Sequence, residues 1–367
     1  MNPLCVKTIE AWPVDLPLKA SFVVANGAMD VARNIFVRVT LHDGSVGYGE
    51  VAPFPDISGE DREGSFAAFP AAAQMLLGQP ATQFRLVSQR LLDATQLFPA
   101  LRCGLETALL DALCRAMGIP LWGLWGGADV RRRETDVTLP IGAIEAVVAT
   151  AKDWYHQGFK LLKMKVGEDV EEDILRVEAV SAACEQASFV IDANQGYTYE
   201  HAHAFMEAME RLHIPVKVLE QPIHRDHFEE MIVLKNRGTI PLAADESLRS
   251  LEDARQLIEH KAVDMFNIKI TKCGVLESVR IAELAQASGV GLMIGGMVES
   301  RVAMGCSWSI VLGVGGFEIL DLDMPLLLSS DPIQGGYQYE ESSLQPWHEP
   351  GLGMFINVDN SSIVSIE

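Results

Sequence analysis

The chain is poor in basic charge, paired cysteines and long apolar runs. Its 367 residues carry 29 Lys and Arg against 50 Asp and Glu, a formal net charge of −21. Nucleic acids and anionic membrane surfaces select clustered Lys and Arg, so neither is expected as a partner. Six cysteines (Cys5, Cys103, Cys114, Cys184, Cys273, Cys306) form no Cys-x-x-Cys pair and read as reduced, mostly buried thiols. No uninterrupted apolar run reaches the roughly 18 residues of a transmembrane helix. Met1-Asn2-Pro3 opens without a basic stretch followed by an apolar one, and a cytoplasmic location is expected. His201 and His203 lack the HExxH spacing and read as surface residues. Gly313-Val314-Gly315-Gly316 precedes a strand rather than opening a helix after one, so it fails the context of a nucleotide loop.

What is present is a large core. The composition is 49% hydrophobic, and the length suits two to three average domains or one large barrel with an added domain. Residues 1–52 read as antiparallel strands: Val6–Leu18, Ile35–Leu41, a turn at His42-Asp43-Gly44, and Ser45–Val51. Phe22–Asp30, with Asn26-Gly27 inside it, is expected as a flexible loop, and residues 53–61 as a second one. From Arg62 to Met117 the pattern is helical, with Leu105–Met117 the clearest amphipathic helix. Gly118-Ile119-Pro120 ends it, and the Gly-rich connection Trp122–Gly127 marks a domain boundary.

Beyond Arg133, short apolar strands alternate with helices every 25–30 residues. The strands are expected at Thr135–Gly142, Phe159–Gly167, Ser188–Asn194, Val216–Pro222, Pro241–Ser247, Met265–Ile270, Gly291–Gly296 and Phe317–Pro325. Helices are expected at Ile144–His156, Val170–Ala187, Tyr199–Leu212, Leu251–His260 and Leu276–Ser288. Eight such units point to a closed parallel barrel. The expected domains are a cap over 1–127, a barrel over 128–325, and a segment over 326–367 that packs back on the cap.

Lys163 and Lys165 share one face of the second of these strands. Either they snorkel to solvent at a strand end, or they face something anionic in the interior. In a parallel barrel the working residues sit at the C-terminal strand ends. Those ends carry Asp192 and Asn194, Glu220, Asp245 and Glu246, Lys269, and Asp321 and Asp323. Each acid alone could cap the helix that follows it. Asp192, Glu220 and Asp245 on one mouth would instead repel unless a cation sat among them. Hard oxygen donors favour Mg²⁺ or Mn²⁺ over zinc. Lys165 and Lys269 would then face each other across whatever that cation holds, one removing a proton and the other returning one.

With these residues the chain resembles the enolase superfamily, in its muconate lactonizing enzyme subgroup, and more narrowly the dipeptide epimerases. Lys163-Met164-Lys165 matches the subgroup's KxK, and the pairing of a lysine base with magnesium is a known property of such sites. The resemblance implies an α/β fold with a (β/α)7β modified TIM barrel and an N-terminal α+β capping domain. It implies one Mg²⁺ held by Asp192, Glu220 and Asp245, with Lys165 and Lys269 as the acid–base pair and Lys163 beside the substrate carboxylate. Asn194 and Glu246 are expected behind the metal ligands. Asp321-Leu322-Asp323 resembles the DxD motif whose carboxylates bind the α-ammonium group of a dipeptide. A homo-oligomer is expected.

Relatives acting on Ala-Glu dipeptides carry an arginine in the first cap loop. Here Phe22–Met29 holds no cation, and Val24, Met297 and Val298 offer an apolar surface. A hydrophobic or aromatic second residue is therefore expected in an L-Ala-L-Xaa substrate. Asp56, Glu60 and Asp61 in the second loop leave room for a cationic side chain instead. The same metal and lysines would also serve the activities of o-succinylbenzoate synthase, N-acylamino acid racemase and muconate cycloisomerase. A metal-binding structural protein without catalysis is the reading from outside enzymology.

Overall fold

The computed structural model describes residues 2–25, 27–357 and 363–367. Three antiparallel strands, β1 (Val6–Val24), β2 (Gly27–Leu41) and β3 (Val46–Val51), open the chain. The expected loop Phe22–Asp30 is instead the end of the β1–β2 hairpin, where Phe22 pairs with Met29 and Val24 with Gly27. A register shift between Pro17 and Phe22 breaks the alternation that would have revealed it. Asn26, at the turn, lies outside the described residues.

Helices α1 (Pro55–Ser58), α2 (Arg62–Leu76), α3 (Phe84–Ala94) and α4 (Pro99–Met117) follow. Leu105–Met117 is the last two-thirds of α4, and it is not amphipathic in its setting. Every residue of α4 from Ala100 to Cys114 is buried, because the helix lies between the β1–β3 sheet and the barrel. Small residues allow the approach. A Cβ at Gly47 or Gly49 would lie 2.2 or 1.9 Å from the carbonyl oxygens of Ala108 and Gly104. Gly118, at φ 68°, ends the helix in the left-handed region that glycine reaches without strain.

After a two-residue strand, β4 (Arg133–Glu134), comes the barrel. Its strands are β5 (Val137–Leu139), β6 (Leu161–Lys165), β7 (Ser188–Asp192), β8 (Val216–Glu220), β9 (Leu242–Ala244), β10 (Met265–Ile268), β11 (Gly291–Ile294) and β12 (Phe317–Leu320). They pair in parallel in sequence order. Asp136 N donates to Leu320 O at 2.9 Å, bringing the first and eighth strands together. The outer helices are α5 (Ile144–His156), α6 (Val170–Ala183), α7 (Tyr199–Arg211), α8 (Phe228–Arg237) and α9 (Leu251–Glu259), then, after the short α10 (Ile270–Cys273), α11 (Val275–Ser288) and α12 (Arg301–Val314). The eighth strand is followed only by the single turn α13 (Met324–Leu327). This is the (β/α)7β arrangement. The chain then forms short strands, and its last, Val364–Ile366, pairs antiparallel with β1. Among the described residues no helix is long and apolar enough to cross a membrane.

Buried carboxylates of the cap hold the barrel through its helix N-termini. Glu50 accepts from Ser300 N at 2.9 Å and Ser300 Oγ at 2.6 Å ahead of α12, and Glu106 accepts from Val275 N at 2.6 Å at the start of α11. A carboxylate there satisfies donors the helix cannot satisfy itself.

Candidate active site

Period-two alternation builds the site from the barrel's own core. Leu161, Val190, Val218, Ala243, Met265, Met293 and Ile319 form an apolar cluster inside the strands. Two residues further along each strand, on the same face, stand Lys163, Asp192, Glu220, Asp245, Asn267, Gly295 and Asp321. The polar layer thus rests on an apolar floor. Gly295 gives these side chains room: a Cβ there would sit 2.9 Å from both Asn267 Oδ1 and Asp321 Oδ2 and would force them to shift.

Oxygens of Asp192, Glu220 and Asp245 lie within 4.8 Å of one another, and all three residues are buried. Glu220 Oε2 lies 2.8 Å from Lys163 Nζ. Asn267 Nδ2 donates to Glu220 Oε1 at 2.6 Å and fixes the carboxylate plane. An all-oxygen set of three buried, converging carboxylates fits a hard divalent cation.

Lysines flank this group. Lys163 Nζ lies 3.0 Å from Asp192 Oδ2 and 2.7 Å from Asp321 Oδ2. Lys165 Nζ donates to Asp192 Oδ2 at 2.7 Å and Asn194 Oδ1 at 3.1 Å, with the Phe22 ring centroid 5.9 Å away. Lys269 Nζ donates to Asp245 Oδ2 at 2.7 Å. All three ammonium groups are buried, which rejects the reading of solvent-snorkelling side chains. Burial pushes the Asp192 and Asp245 carboxyls up, but Lys163 and Lys165 beside the first, and Lys269 and Lys272 beside the second, outweigh it and hold both well below the usual range. Glu220 is raised to about 7 by burial and then by Asp192. Burial lowers Lys163 and Lys269, yet the surrounding carboxylates win and both stand above an ordinary lysine.

The cavity over this layer is lined by Lys163, Lys165, Asn194, Glu246, Lys269 and Asp321 below, and by Phe22, Val24, Phe54, Ile57, Met297 and Val298 above and beside them. Asn194 Nδ2 donates to Glu246 Oε1 at 3.3 Å, linking the loops after β7 and β9. Asn34 Nδ2 donates to Val298 O at 2.9 Å and Glu299 accepts from Met297 N at 3.0 Å, so the apolar wall is fixed through its backbone. Asp323 is not at the surface of the cavity; it is buried behind Asp321 and accepts from Thr138 N at 2.6 Å.

Several residues here were not anticipated from the sequence. Phe54 and Ile57 line the cavity from the second cap segment, and Lys272 reaches the Asp245 carbonyl at 2.6 Å from α10. Asp136, ahead of β5, stands with Asp321 and Asp323 in a second carboxylate group within 4.8 Å. Its one visible signal is a polar residue two positions before Thr138, on the inward period of the strand. Of the acids that left room for a cationic substrate, Glu60 and Asp61 do not line the cavity. Glu60 turns inward to accept from Ala100 N and Leu101 N at 2.8 and 3.0 Å, and Asp61 caps α2 through Gly64 N. The side chain of Asp56 lies outside the described residues.

Two family models divide the chain. Residues 6–126 match the mandelate racemase / muconate lactonizing enzyme N-terminal domain, and residues 146–360 match the enolase C-terminal domain-like family. The chain belongs to the enolase superfamily. The chain is 39% identical over 353 residues to the aromatic dipeptide epimerase of Herpetosiphon aurantiacus, covering 96% of this chain and 99% of the relative. It is 37% identical over 361 residues to the L-Ala-D/L-amino acid epimerase of Populus trichocarpa, covering 97% and 86%. The dipeptide epimerase of Cytophaga hutchinsonii, solved with Mg and D-Ala-L-Val, superposes with a TM-score of 0.95 at 27% identity, covering 99% and 100%. This superfamily member is an isomerase of the racemase and epimerase kind.

Proposed function

We propose that the protein is a magnesium-dependent dipeptide epimerase that inverts the α-carbon of the C-terminal residue of L,L-dipeptides, with preference for a hydrophobic or aromatic side chain there. One observation carries the reading. Lys165 ends β6 and Lys269 follows β10, four strands apart in the eight-strand order, so they stand on opposite sides of the mouth. The metal-type carboxylates come from β7, β8 and the end of β9, between them. Asp321 and Asp323 come from beyond β12, on the far side. A dipeptide laid across the mouth puts its carboxylate over the first group, its ammonium at the second, and its C-terminal α-carbon between the lysines.

Asp192, Glu220 and Asp245 would hold the magnesium ion. When bound, the ion supplies positive charge where negative charge builds on the substrate carboxylate. Lys163 adds a fixed ammonium beside the same carboxylate. One of Lys165 and Lys269 takes the α-proton at one face and the other delivers a proton at the opposite face. Asp245 and then Glu220 hold the Lys269 ammonium up, outweighing its burial, and a cation held among those carboxylates would offset that pull. Asn194, through its contact with Lys165, orients that ammonium, and Glu246 holds Asn194.

Specificity follows from the wall of Phe22, Val24, Phe54, Ile57, Met297 and Val298, which offers a charged side chain no partner. The inward turn of Glu60 and the capping role of Asp61 weigh against a cationic second residue. Asp321 and Asp323 weigh against o-succinylbenzoate synthase, N-acylamino acid racemase and muconate cycloisomerase chemistry, whose substrates have no free ammonium. The test is incubation with Mg²⁺ in D₂O against a library of L-Ala-L-Xaa dipeptides. Deuterium is expected at the C-terminal α-carbon, most rapidly where Xaa is aromatic or aliphatic. No incorporation into any member overturns the proposal.

A further inference from the structure

Asp136 has no part in the proton transfer between Lys165 and Lys269. It is 0% exposed, and neither carboxyl oxygen has a hydrogen-bond partner among the described residues. One of its oxygens lies within 4.8 Å of an oxygen of Asp321 and one of Asp323. Asp323 Oδ1 is likewise buried without a partner. The charged groups facing Asp136 are Asp321 and Asp323 beyond β12, Lys163 on β6 and Glu220 on β8. Lys163 is the cation among them, and its ammonium is already shared by Asp192, Glu220 and Asp321 at 3.0, 2.8 and 2.7 Å. A buried carboxylate with no donor and two carboxylate neighbours is relieved by taking a proton. Burial, then Asp321 and Asp323, push Asp136 well above the usual carboxylate range, and burial and Asp321 raise Asp323 to about 7.

We infer that Asp136 shares a proton with the Asp321–Asp323 pair while the pocket is empty, and that docking of the substrate's ammonium expels it. The inference rests on the dipeptide reading. The O–H bond of the shared proton breaks, the ammonium N–H groups become the donors, and the proton leaves to the buffer past Asp321, which lines the cavity. One positive charge enters and one leaves, so the group keeps its net charge. Asp136 is thus a positioning residue that sets the group to receive one full cation.

The test is calorimetric titration of the Mg²⁺-loaded, full-length protein at about pH 6.5, where a dipeptide amino group is charged. L-Ala-L-Phe, equilibrated with its epimer, is compared with N-propionyl-L-Phe, which has the same shape without the ammonium. Each titration is run in two buffers of different ionisation enthalpy. The dipeptide is expected to release about one proton more than the propionyl compound. In Asp136→Asn that excess falls below half, and the preference in KM for the dipeptide over the propionyl compound drops about tenfold. Equal release by the two ligands on the wild-type protein overturns the inference even where the variant does not fold. So does an unchanged excess in a folded variant. If L-Ala-L-Phe neither binds nor exchanges its α-proton, the epimerase reading itself fails, a separate outcome.

Discussion

Lys163 Nζ lies 2.7 Å from Asp321 Oδ2, and this ion pair joins the two buried carboxylate groups of the barrel mouth. Removing the ammonium leaves buried acids uncompensated in both. Lys163→Met is expected to destabilise the metal-free protein by about 3 kcal/mol, measured by urea unfolding. Added Mg²⁺ should recover part of that loss, because a dication balances the same carboxylates. A variant as stable as wild type without metal would show that the pair carries little.

Metal binding should appear as stability. Ligand present at a hundred times its Kd stabilises the native state by about 2.7 kcal/mol. A thermal scan across a Mg²⁺ titration is expected to raise the midpoint of the wild-type protein and not that of Glu220→Gln. Glu220 sits between Asp192 and Asp245 in strand order, so its loss opens the middle of the donor set.

Glu60 makes a pH dependence predictable. Burial raises its carboxyl from 4.5 to about 7 while it holds the first amides of α4. Between those values the native state binds the proton and the unfolded chain does not, so stability falls as pH rises through the window and is level above it. The shift is worth about 3 kcal/mol. Glu60→Gln should flatten that slope, gaining relative to wild type from pH 5 to pH 8 in chemical denaturation. An identical slope in both proteins would assign the dependence elsewhere.

The specificity wall can be tested by supplying the missing charge. Val24 stands at the hairpin end over the cavity. Val24→Arg is expected to shift the ratio of kcat/KM for L-Ala-L-Glu over L-Ala-L-Phe by about a hundredfold, since an unpaired buried carboxylate becomes paired. No change in the ratio would place the second side chain away from β1.

The barrel was legible because its strands are short, apolar and evenly spaced, and because Lys163, Asp192, Glu220, Asp245 and Asp321 recur at their ends. What escaped had physical causes. The hairpin through Phe22–Met29 pairs across a register shift, so its strands do not alternate cleanly. Helix α12 is buried from Arg301 to Gly313 and has no polar face to mark its period. α4 shows an amphipathic pattern in part, yet is enclosed on both sides. Asp136 looked like any polar residue near a strand start, and only closure of β5 against β12 brings it beside Asp321.

The central claim is that Lys165 and Lys269 serve opposite faces of one carbon. Deuterium exchange at the C-terminal α-carbon, measured separately on L-Ala-L-Phe and L-Ala-D-Phe with Lys165→Ala and Lys269→Ala, tests it most directly. Both variants should lose epimerisation by about 10³-fold or more, while each retains exchange on one diastereomer only, and on opposite ones. Exchange of the same diastereomer by both variants, or epimerisation surviving in either, would contradict the two-base account.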